Sequence, residues 1–227
     1  MTRVDAPAGP WSLAGEFVIG VMRSRAADPA LPPELHRVPG PCLLMAARYD
    51  DSPVGPYLEL AVSEPARLGA RLGMCVTTMV VNTAEARHGG RANWGLPKEL
   101  GTLDWSNEGD TRVLRWLERD VVVRATPIGP PLPTFMPFRT LQHRGDGPVC
   151  ATAQVRGRGR TAKVALSVPA DDPWAARAGT HLGAVISSAR LVMGEAEAWC
   201  PPAPRRPRRA LRQAPEPALS WEAHQGD

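Results

Sequence analysis

The apolar residues of this chain fall in short runs whose spacing predicts β-strands. In residues 57–62 leucine and valine side chains alternate with others along one face of a strand, while Tyr57 and Glu59 share the opposite face. Residues 75–81 (CVTTMVV) are rich in β-branched side chains, which is typical of a buried strand. The apolar run at residues 42–47 predicts a further strand before these two.

Two hairpins are predicted further along the chain. Residues 113–117 and 121–125 flank a polar Glu-Arg-Asp segment, and residues 151–155 and 161–168 flank an Arg-Gly-Arg-Gly-Arg segment. No amphipathic helix follows the second segment, which disfavours a phosphate-binding loop there.

Helical structure is predicted in only a few places. One or two short helical pieces are expected in residues 11–22. A helix is also expected to begin at residues 171–173, where two aspartates precede a proline, and to reach residue 177. Residues 189–199 fit a helix or a strand equally well.

The composition favours one domain with a substantial core. The chain has 227 residues, of which 43% are hydrophobic, and its 25 prolines and 21 glycines suit many short strands and turns. We therefore expect a single, mostly antiparallel β domain, barrel-like and with a few helices, over residues 1–200. Within it, residues 1–40 are expected to form a loosely structured lead-in. Residues 201–227, rich in proline and arginine, are expected to form a disordered tail.

Several classes of protein are disfavoured. No apolar run approaches the roughly 18 residues of a membrane helix, and the N-terminus lacks a signal-peptide pattern, so a cytoplasmic location is expected. The four cysteines form no Cys-x-x-Cys pair, which favours buried thiols over a metal site. Half of the net charge of +4 lies in the tail, where five arginines face three acidic residues. Nucleic-acid binding is therefore not expected as the main role.

Lysine is the scarce residue type in this chain. Only Lys98 and Lys163 are lysines among 27 basic residues. Lys98 has apolar neighbours, with Trp94 four residues upstream, and burial of a lysine favours its neutral, nucleophilic amine. Lys163 lies in an alternating segment that predicts exposure to solvent, so it makes a natural control.

Several blocks of sequence together resemble the acetoacetate decarboxylase family. Val54-Gly55-Pro56-Tyr57-Leu58-Glu59 is similar to the family's G-x-Y-x-E strand, and Gly90-Arg91 precedes Pro97-Lys98 at the family's spacing. The segment from Ser187 to Glu197 is similar to the family's closing strand region. Together the blocks cover roughly residues 40–200.

The resemblance implies a fold and a chemistry. The fold is a cone-shaped antiparallel β-barrel with peripheral helices, which forms homo-oligomers and uses no metal or organic cofactor. Lys98 takes the position of a Schiff-base nucleophile for a small keto acid, and acetoacetate decarboxylase is itself a known example of an enzyme with an activated lysine. Glu59 matches the catalytic glutamate. Arg91, Tyr57 and Trp94 are expected to bind substrate, with Arg91 holding its carboxylate.

Two positions depart from the family pattern. Glu99 stands where the family has a second lysine, and Ala92 stands where it has a glutamate. A carboxylate next to Lys98 would oppose its activation, unless an extended backbone turns the two side chains to opposite faces. Three functions therefore stay open: decarboxylation of a β-keto acid, aldol condensation with dehydration through the same imine, and ligand binding without catalysis.

Overall fold

The structure is a computed structural model that describes residues 6–23 and 31–199. The expected tail at residues 201–227 lies outside these described residues. The strands within them are β1 Trp11–Arg23, β2 His36–Arg37, β3 Pro41–Asp51, β4 Tyr57–Leu68, β5 Arg71–Val81, β6 Lys98–Leu100, β7 Leu103–Glu108, β8 Thr111–Trp116, β9 Val121–Pro127, β10 Leu132–Arg144, β11 Gly147–Ser167, β12 Gly179–Met193 and β13 Glu197–Ala198. One α-helix, α1 (Ala84–Trp94), and two 3-10 turns, Leu117–Arg119 and Ala175–Arg177, complete the described elements.

The long strands pair in a closed ring. Its order is β10-β5-β4-β3-β1-β12-β11, and β11 pairs again with β10. These pairings are antiparallel except between β10 and β5, where a single parallel bridge joins Thr140 to Met74. The later part of β11 also pairs with β9, which continues to β8 and β7. The expected β-rich, mostly antiparallel architecture is confirmed.

The two faces of the ring strands pack into different cores. Phe17, Ala47 and Tyr49 belong to a cluster on the inner side, which all seven ring strands help to build. Their sequence neighbours Val18 and Ala46 pack on the opposite side against the sheet extension of β7 to β9. Since both faces of the ring are covered there, an alternating apolar pattern is weak in these strands.

That double burial explains one wrong prediction. The helical pieces expected in residues 11–22 are absent, because Trp11–Arg23 is strand β1, paired with β3 on one side and β12 on the other. The loosely structured lead-in expected over residues 1–40 is therefore also wrong for this segment. Phe17 and Val18 are consecutive yet both buried, so the strand lacks the period of two that would have identified it.

A second wrong prediction concerns the Arg-Gly-Arg-Gly-Arg segment. It is no hairpin turn, because Gly147–Ser167 is one continuous strand. The register against β12 shifts between Arg156 and Arg158, which marks a β-bulge at Gly157. A Cβ atom at Gly157 would lie 2.7 Å from Ile186 Cγ2 and 2.9 Å from the Ser187 carbonyl oxygen. These glycines serve close strand packing rather than a turn.

Three further predictions, over residues 113–125, 171–177 and 189–199, have different outcomes. Residues 113–117 and 121–125 form the expected hairpin as β8 and β9. The helix expected at residues 171–177 is reduced to the 3-10 turn Ala175–Arg177. The ambiguous residues 189–199 continue β12 and include β13.

Helix α1 was not predicted, although the sequence contains a capping residue at its start and a glycine at its end. Thr83 caps its first turn by accepting a hydrogen bond from the Ala86 N–H at 3.4 Å. Gly95 ends it in the left-handed region at φ 67°. Adjacent glycines at positions 89 and 90 lower the helix propensity and conceal the element. The helix matters because it leads directly to Lys98.

Three of the four cysteines lie in the described part of the chain. Cys42, Cys75 and Cys150 are buried and form no disulfide with one another, as the sequence predicts. Burial raises the pKa of the Cys75 thiol to about 12, and the charge of Glu64 adds to that rise. No helix among the described residues is long and apolar enough to cross a membrane.

The bulge in β11 gives a stability test. We expect Gly157→Ala to lower the free energy of unfolding by about 1–3 kcal/mol, because the added methyl group meets Ile186 and the β12 main chain. Denaturant unfolding monitored by circular dichroism measures the change. Gly145→Ala is the matched control, since a Cβ atom there meets nothing within 4 Å. Equal stability of the two variants would contradict the packing role of Gly157.

Candidate active site

Lys98 lies in the interior, on the short segment that follows helix α1. The helix ends at Gly95, and β6 begins at Lys98, whose register partner is Met79 of the ring strand β5. The Arg91 Nε–H donates a hydrogen bond to the Lys98 carbonyl oxygen at 2.6 Å and so fixes this main chain. Only 3% of Lys98 is exposed. The sequence-based expectation of a buried lysine therefore agrees with the structure.

The Lys98 ammonium group faces a buried carboxylate. Lys98 Nζ lies 2.7 Å from Glu59 Oε2, and both side chains are 3% exposed. Lys98 Nζ also donates to the Tyr57 hydroxyl at 3.4 Å and lies 5.0 Å from the centroid of its ring. The structure thus brings together three of the five site residues named from the sequence.

Tyr49 is a fourth member of this cluster that the sequence reasoning missed. Its hydroxyl donates to Glu59 Oε1 at 3.2 Å, and its ring centroid is 4.5 Å from that of Tyr57. The residue is the register partner of Tyr57 on β3. The signal was available, because Tyr49 continues the alternation of Met45 and Ala47 two residues beyond the apolar run used for the prediction. Tyr49 and Tyr57 are the only tyrosines of the chain.

Both tyrosines are held as neutral phenols. Burial raises the pKa of Tyr49 and of Tyr57 well above the usual value, and the negative charge of Glu59 raises both further. A neutral hydroxyl donates a hydrogen bond, so Tyr49 stabilises the Glu59 carboxylate that faces Lys98. The site therefore has one carboxylate, one amine and two phenols in contact.

Glu59 also lines an interior cavity of about 110 Å³. Leu96, two residues before Lys98, and Met79, its register partner on β5, belong to the same lining. The other lining residues are Ile19, Leu43, Met45, Ala61, Ser63, Met74, Val76, Met136, Phe138, Thr140, Val155, Leu191 and Met193. This mainly apolar cavity, called the chamber below, therefore meets the ion pair through Glu59, which lies between the lining and Lys98 Nζ.

Arg91 and Trp94 do not line this cavity. Arg91 is exposed on the last turn of α1 and borders a shallow surface pocket with His88 and Arg144. Its role in holding a substrate carboxylate stays a prediction, whereas its bond to the Lys98 main chain makes it a positioning residue. Trp94 is buried, donates to the Gly194 carbonyl oxygen at 2.7 Å and packs edge-to-face on Trp11. The structure places it in the core beneath the helix.

The two departures from the family pattern lie outside the cluster. Glu99 is exposed while its neighbour Lys98 is buried, because successive residues of β6 point to opposite faces. Ala92 is exposed on α1. The condition under which Glu99 leaves Lys98 unaffected is therefore met. The control residue Lys163 is exposed, as expected.

Gly90 leaves the space that the lysine side chain occupies. A Cβ atom at this position of α1 would lie 2.5 Å from Lys98 Cδ and 2.6 Å from Lys98 Cε. With a larger residue at this position, the Lys98 side chain or the helix would have to shift. This steric requirement explains why the glycine belongs to the Gly-Arg…Pro-Lys spacing.

Other buried charges serve the fold away from this cluster. Glu64 is fully buried and bonds to Arg177 at 2.7 Å and to Arg37 at 3.0 Å. Glu16 is nearly buried and accepts from Arg112 and Ser187. The sequence reasoning identified neither group, because their partners are 27 to 171 residues apart along the chain. Within the described residues no group of His, Cys, Asp and Glu side chains could hold a metal ion.

Comparison with known proteins identifies the family. The acetoacetate decarboxylase family model matches residues 4–126, which is more than half of the chain. The chain belongs to the acetoacetate decarboxylase family. The Glu59–Lys98 pair and all of its contacts lie within the matched residues.

Solved structures of the acetoacetate decarboxylase fold resemble the chain over most of its length. Acetoacetate decarboxylase from Legionella pneumophila matches with a TM-score of 0.60 and 22% identity, over 85% of this chain and 88% of that one. An acetoacetate decarboxylase-like enzyme from Sphingomonas wittichii RW1 matches with a TM-score of 0.61 and 14% identity, over 86% and 96%.

A third match is a structure with a bound molecule. It is the enduracididine biosynthesis enzyme MppR, complexed with the condensation product of pyruvate and imidazole 4-carboxaldehyde. The TM-score is 0.55 at 17% identity, over 84% of this chain and 87% of that one. At these identities the matches establish the fold. No curated protein matches the chain.

The two tyrosines give a direct test of the cluster. Because burial and Glu59 raise the pKa of both, we expect no tyrosinate absorbance in the folded protein at pH about 10, where half of the tyrosine in the unfolded chain is ionised. The folded state then retains protons that the unfolded state loses, so stability must fall as the pH rises above about 10. Ultraviolet titration of folded and unfolded protein measures the difference. Tyrosinate appearing near pH 10 without unfolding would contradict the buried cluster.

The close approach of Gly90 to Lys98 gives a second test. We expect Gly90→Ala to displace the Lys98 amine from Glu59, because the added methyl group overlaps Lys98 Cδ. Nitrogen-labelled lysine provides the measurement, since the chain has only two lysines and each gives one side-chain signal by NMR. The Lys98 signal should move while that of Lys163 stays. A spectrum identical to that of Gly145→Ala would refute the steric role of Gly90.

Proposed function

We propose that this protein is a Schiff-base-forming lyase that decarboxylates a small β-keto acid through Lys98. The observation that supports this function is the buried contact of 2.7 Å between Lys98 Nζ and Glu59 Oε2, in which Glu59 also lines an apolar cavity. Imine formation needs a neutral amine and a nearby group that accepts and returns protons. The pair supplies both within one hydrogen bond.

The first step is formation of the imine. A proton passes from the Lys98 ammonium to the Glu59 carboxylate, which leaves a neutral amine and a neutral acid and changes no net charge. The amine nitrogen attacks the ketone carbon, and the oxygen takes up the proton that the nitrogen loses. Glu59 then returns its proton to that hydroxyl, which leaves as water while the carbon–nitrogen double bond forms. The product is a protonated imine beside the Glu59 carboxylate.

The second step breaks the bond to the carboxylate carbon. Its electron pair moves towards the imine nitrogen, so carbon dioxide leaves and an enamine forms. The charge on the substrate carboxylate disappears in this step, and an apolar cavity favours that loss. The enamine carbon takes up a proton from solvent, relayed through the Glu59 carboxylate, and this restores the protonated imine. Addition of water to the imine carbon then releases the ketone and regenerates the Lys98 ammonium beside the Glu59 carboxylate. We assign the handling of these protons to Glu59, and this is supported by the hydrogen bonds that Tyr49 makes to the carboxylate and Tyr57 to the amine.

A second function uses the same covalent intermediate. If an aldehyde meets the enamine of a keto acid, a carbon–carbon bond forms instead, and loss of water follows. MppR holds the condensation product of pyruvate and imidazole 4-carboxaldehyde, and its fold resembles this one. That likeness keeps aldol condensation with dehydration as the alternative. As for other members of the family, we also propose a homo-oligomer that works in the cytoplasm without a metal or organic cofactor.

Borohydride trapping tests the covalent step. We expect reduction in the presence of acetoacetate or pyruvate to leave a stable adduct on Lys98, located by peptide mass mapping. The adduct should persist in Lys163→Ala and disappear in Lys98→Ala. Glu59→Gln should slow trapping by about 100-fold or more, since it removes the proton acceptor beside the amine.

Product analysis then separates the two reactions. Release of carbon dioxide and a ketone supports decarboxylation, whereas a condensed acid formed from pyruvate and an aldehyde supports the alternative. Absence of an adduct with every keto acid would refute both and would indicate a ligand-binding protein without catalysis.

A further inference from the structure

We propose that the substrate carries an apolar chain of roughly three to five carbons on the far side of its ketone, longer than the methyl group of acetoacetate. This inference rests on the proposed function, because it assigns a substrate class to the same site. The chemical class is a β-keto acid with a linear or branched alkyl chain. The argument comes from the chamber next to Glu59 and Lys98.

The described residues that line the chamber include no cation that could pair with a negatively charged substrate chain. Among the described residues that line it, Glu59 is the single ionisable one, and Ser63 and Thr140 add only hydroxyl groups. Arg91, the cation expected from the sequence to meet a carboxylate, lies outside on the helix surface. A second carboxylate on the substrate chain would lose its hydration without gaining a partner and would be repelled by Glu59. The chamber therefore selects an uncharged, apolar chain.

The position of the chamber fixes which part of the substrate enters it. Glu59 lies both in the lining and against Lys98 Nζ. Met79, the register partner of Lys98, and Leu96 continue the lining from the lysine side. A carbonyl carbon bound to Nζ is therefore held at one end of the chamber, and a chain attached to that carbon extends between these side chains.

The volume of the chamber sets the length of the chain. It holds about 110 Å³, whereas an apolar cavity of about 150 Å³ in another protein accepts benzene. A group somewhat smaller than a benzene ring, roughly three to five carbons, fills this space. The methyl group of acetoacetate would leave most of it empty.

Methionine gives the lining an adaptable shape. Five lining residues are methionines, namely Met45, Met74, Met79, Met136 and Met193. Methionine is unbranched and flexible, so it adjusts to ligands of different outline. The expected specificity is accordingly for apolar character and length, with linear and branched chains both accepted.

A series of β-keto acids tests the assignment through the borohydride adduct on Lys98. We expect the trapping efficiency, measured as rate at limiting substrate, to rise about four-fold for each methylene from acetoacetate to 3-oxohexanoate. It should level off or fall at chains that exceed the chamber. 3-Oxoglutarate, whose chain ends in a carboxylate, should be trapped at least about ten-fold less efficiently than 3-oxohexanoate.

Two variants of the lining should shift the preference in opposite directions. Ala61→Leu fills the chamber and should favour acetoacetate over 3-oxohexanoate relative to the unaltered protein. Met136→Ala enlarges it and should move the optimum to longer chains. A general loss of stability would not produce opposite shifts. Lys163→Ala, on the exposed face of β11, should leave the preference unchanged.

The outcomes separate this inference from the function on which it rests. Adducts with every acid but no preference for alkyl chains, or a preference for acetoacetate or 3-oxoglutarate, would overturn the substrate class and leave the Schiff-base function standing. Absence of any adduct on Lys98 would overturn the function itself, and the substrate class with it.

Discussion

The contact between Lys98 and Glu59 places two opposite charges out of reach of water, and the surrounding structure must hold both in place. Each charge loses its hydration on burial, and their mutual attraction compensates only when the geometry is close. Loss of one partner leaves the other charge buried alone, which costs about 3–5 kcal/mol in comparable cases. Here the separation is 2.7 Å, and Tyr49 and Tyr57 contribute further hydrogen bonds. The pair is therefore stable only inside this arrangement of strands.

The Glu59 carboxylate and the Lys98 ammonium lie on two separate parts of the fold. Glu59 stands on β4 within the ring, beside the register pair Tyr49 and Tyr57. Lys98 arrives from outside the ring, after a helix that must lie close enough for its backbone to touch the lysine side chain. Gly90 permits that approach, and the Arg91 side chain fixes the main chain at the end of it. The spacing between Gly90 and Lys98 is thus a mechanical requirement for placing an amine against a carboxylate.

The sequence identifies the residues that meet at the site better than the helix and strands that carry them. Lys98 stands out because lysine is scarce in the chain, whereas Glu59 and Tyr57 are named through the resemblance of a short motif to the family. Helix α1 is not predicted because its two adjacent glycines lower the helix propensity of the segment. Glycine is needed there because Lys98 and Trp11 pack directly against the helix backbone, a contact that is visible only in the folded structure. Strand β1 is not predicted because both of its faces are buried. This removes the alternation of apolar and polar residues that identifies a strand with one face in solvent. The hairpin turn expected around Gly157 is wrong because glycine is favoured both in turns and where two strands pack closely.

Tyr49 provides a hydrogen bond to Glu59 at a site where the sequence suggests that an acid has been lost. In the sequence, Ala92 stands where the family has a glutamate, which suggests that fewer acids handle protons at this site. In the structure Ala92 is exposed on α1, and the Tyr49 hydroxyl donates a hydrogen bond to Glu59 Oε1. A phenol kept neutral by burial supplies a hydrogen bond without adding a charge. The amine and carboxylate then balance each other, and the chamber beside them stays apolar, which suits a chain without charge rather than a second anion.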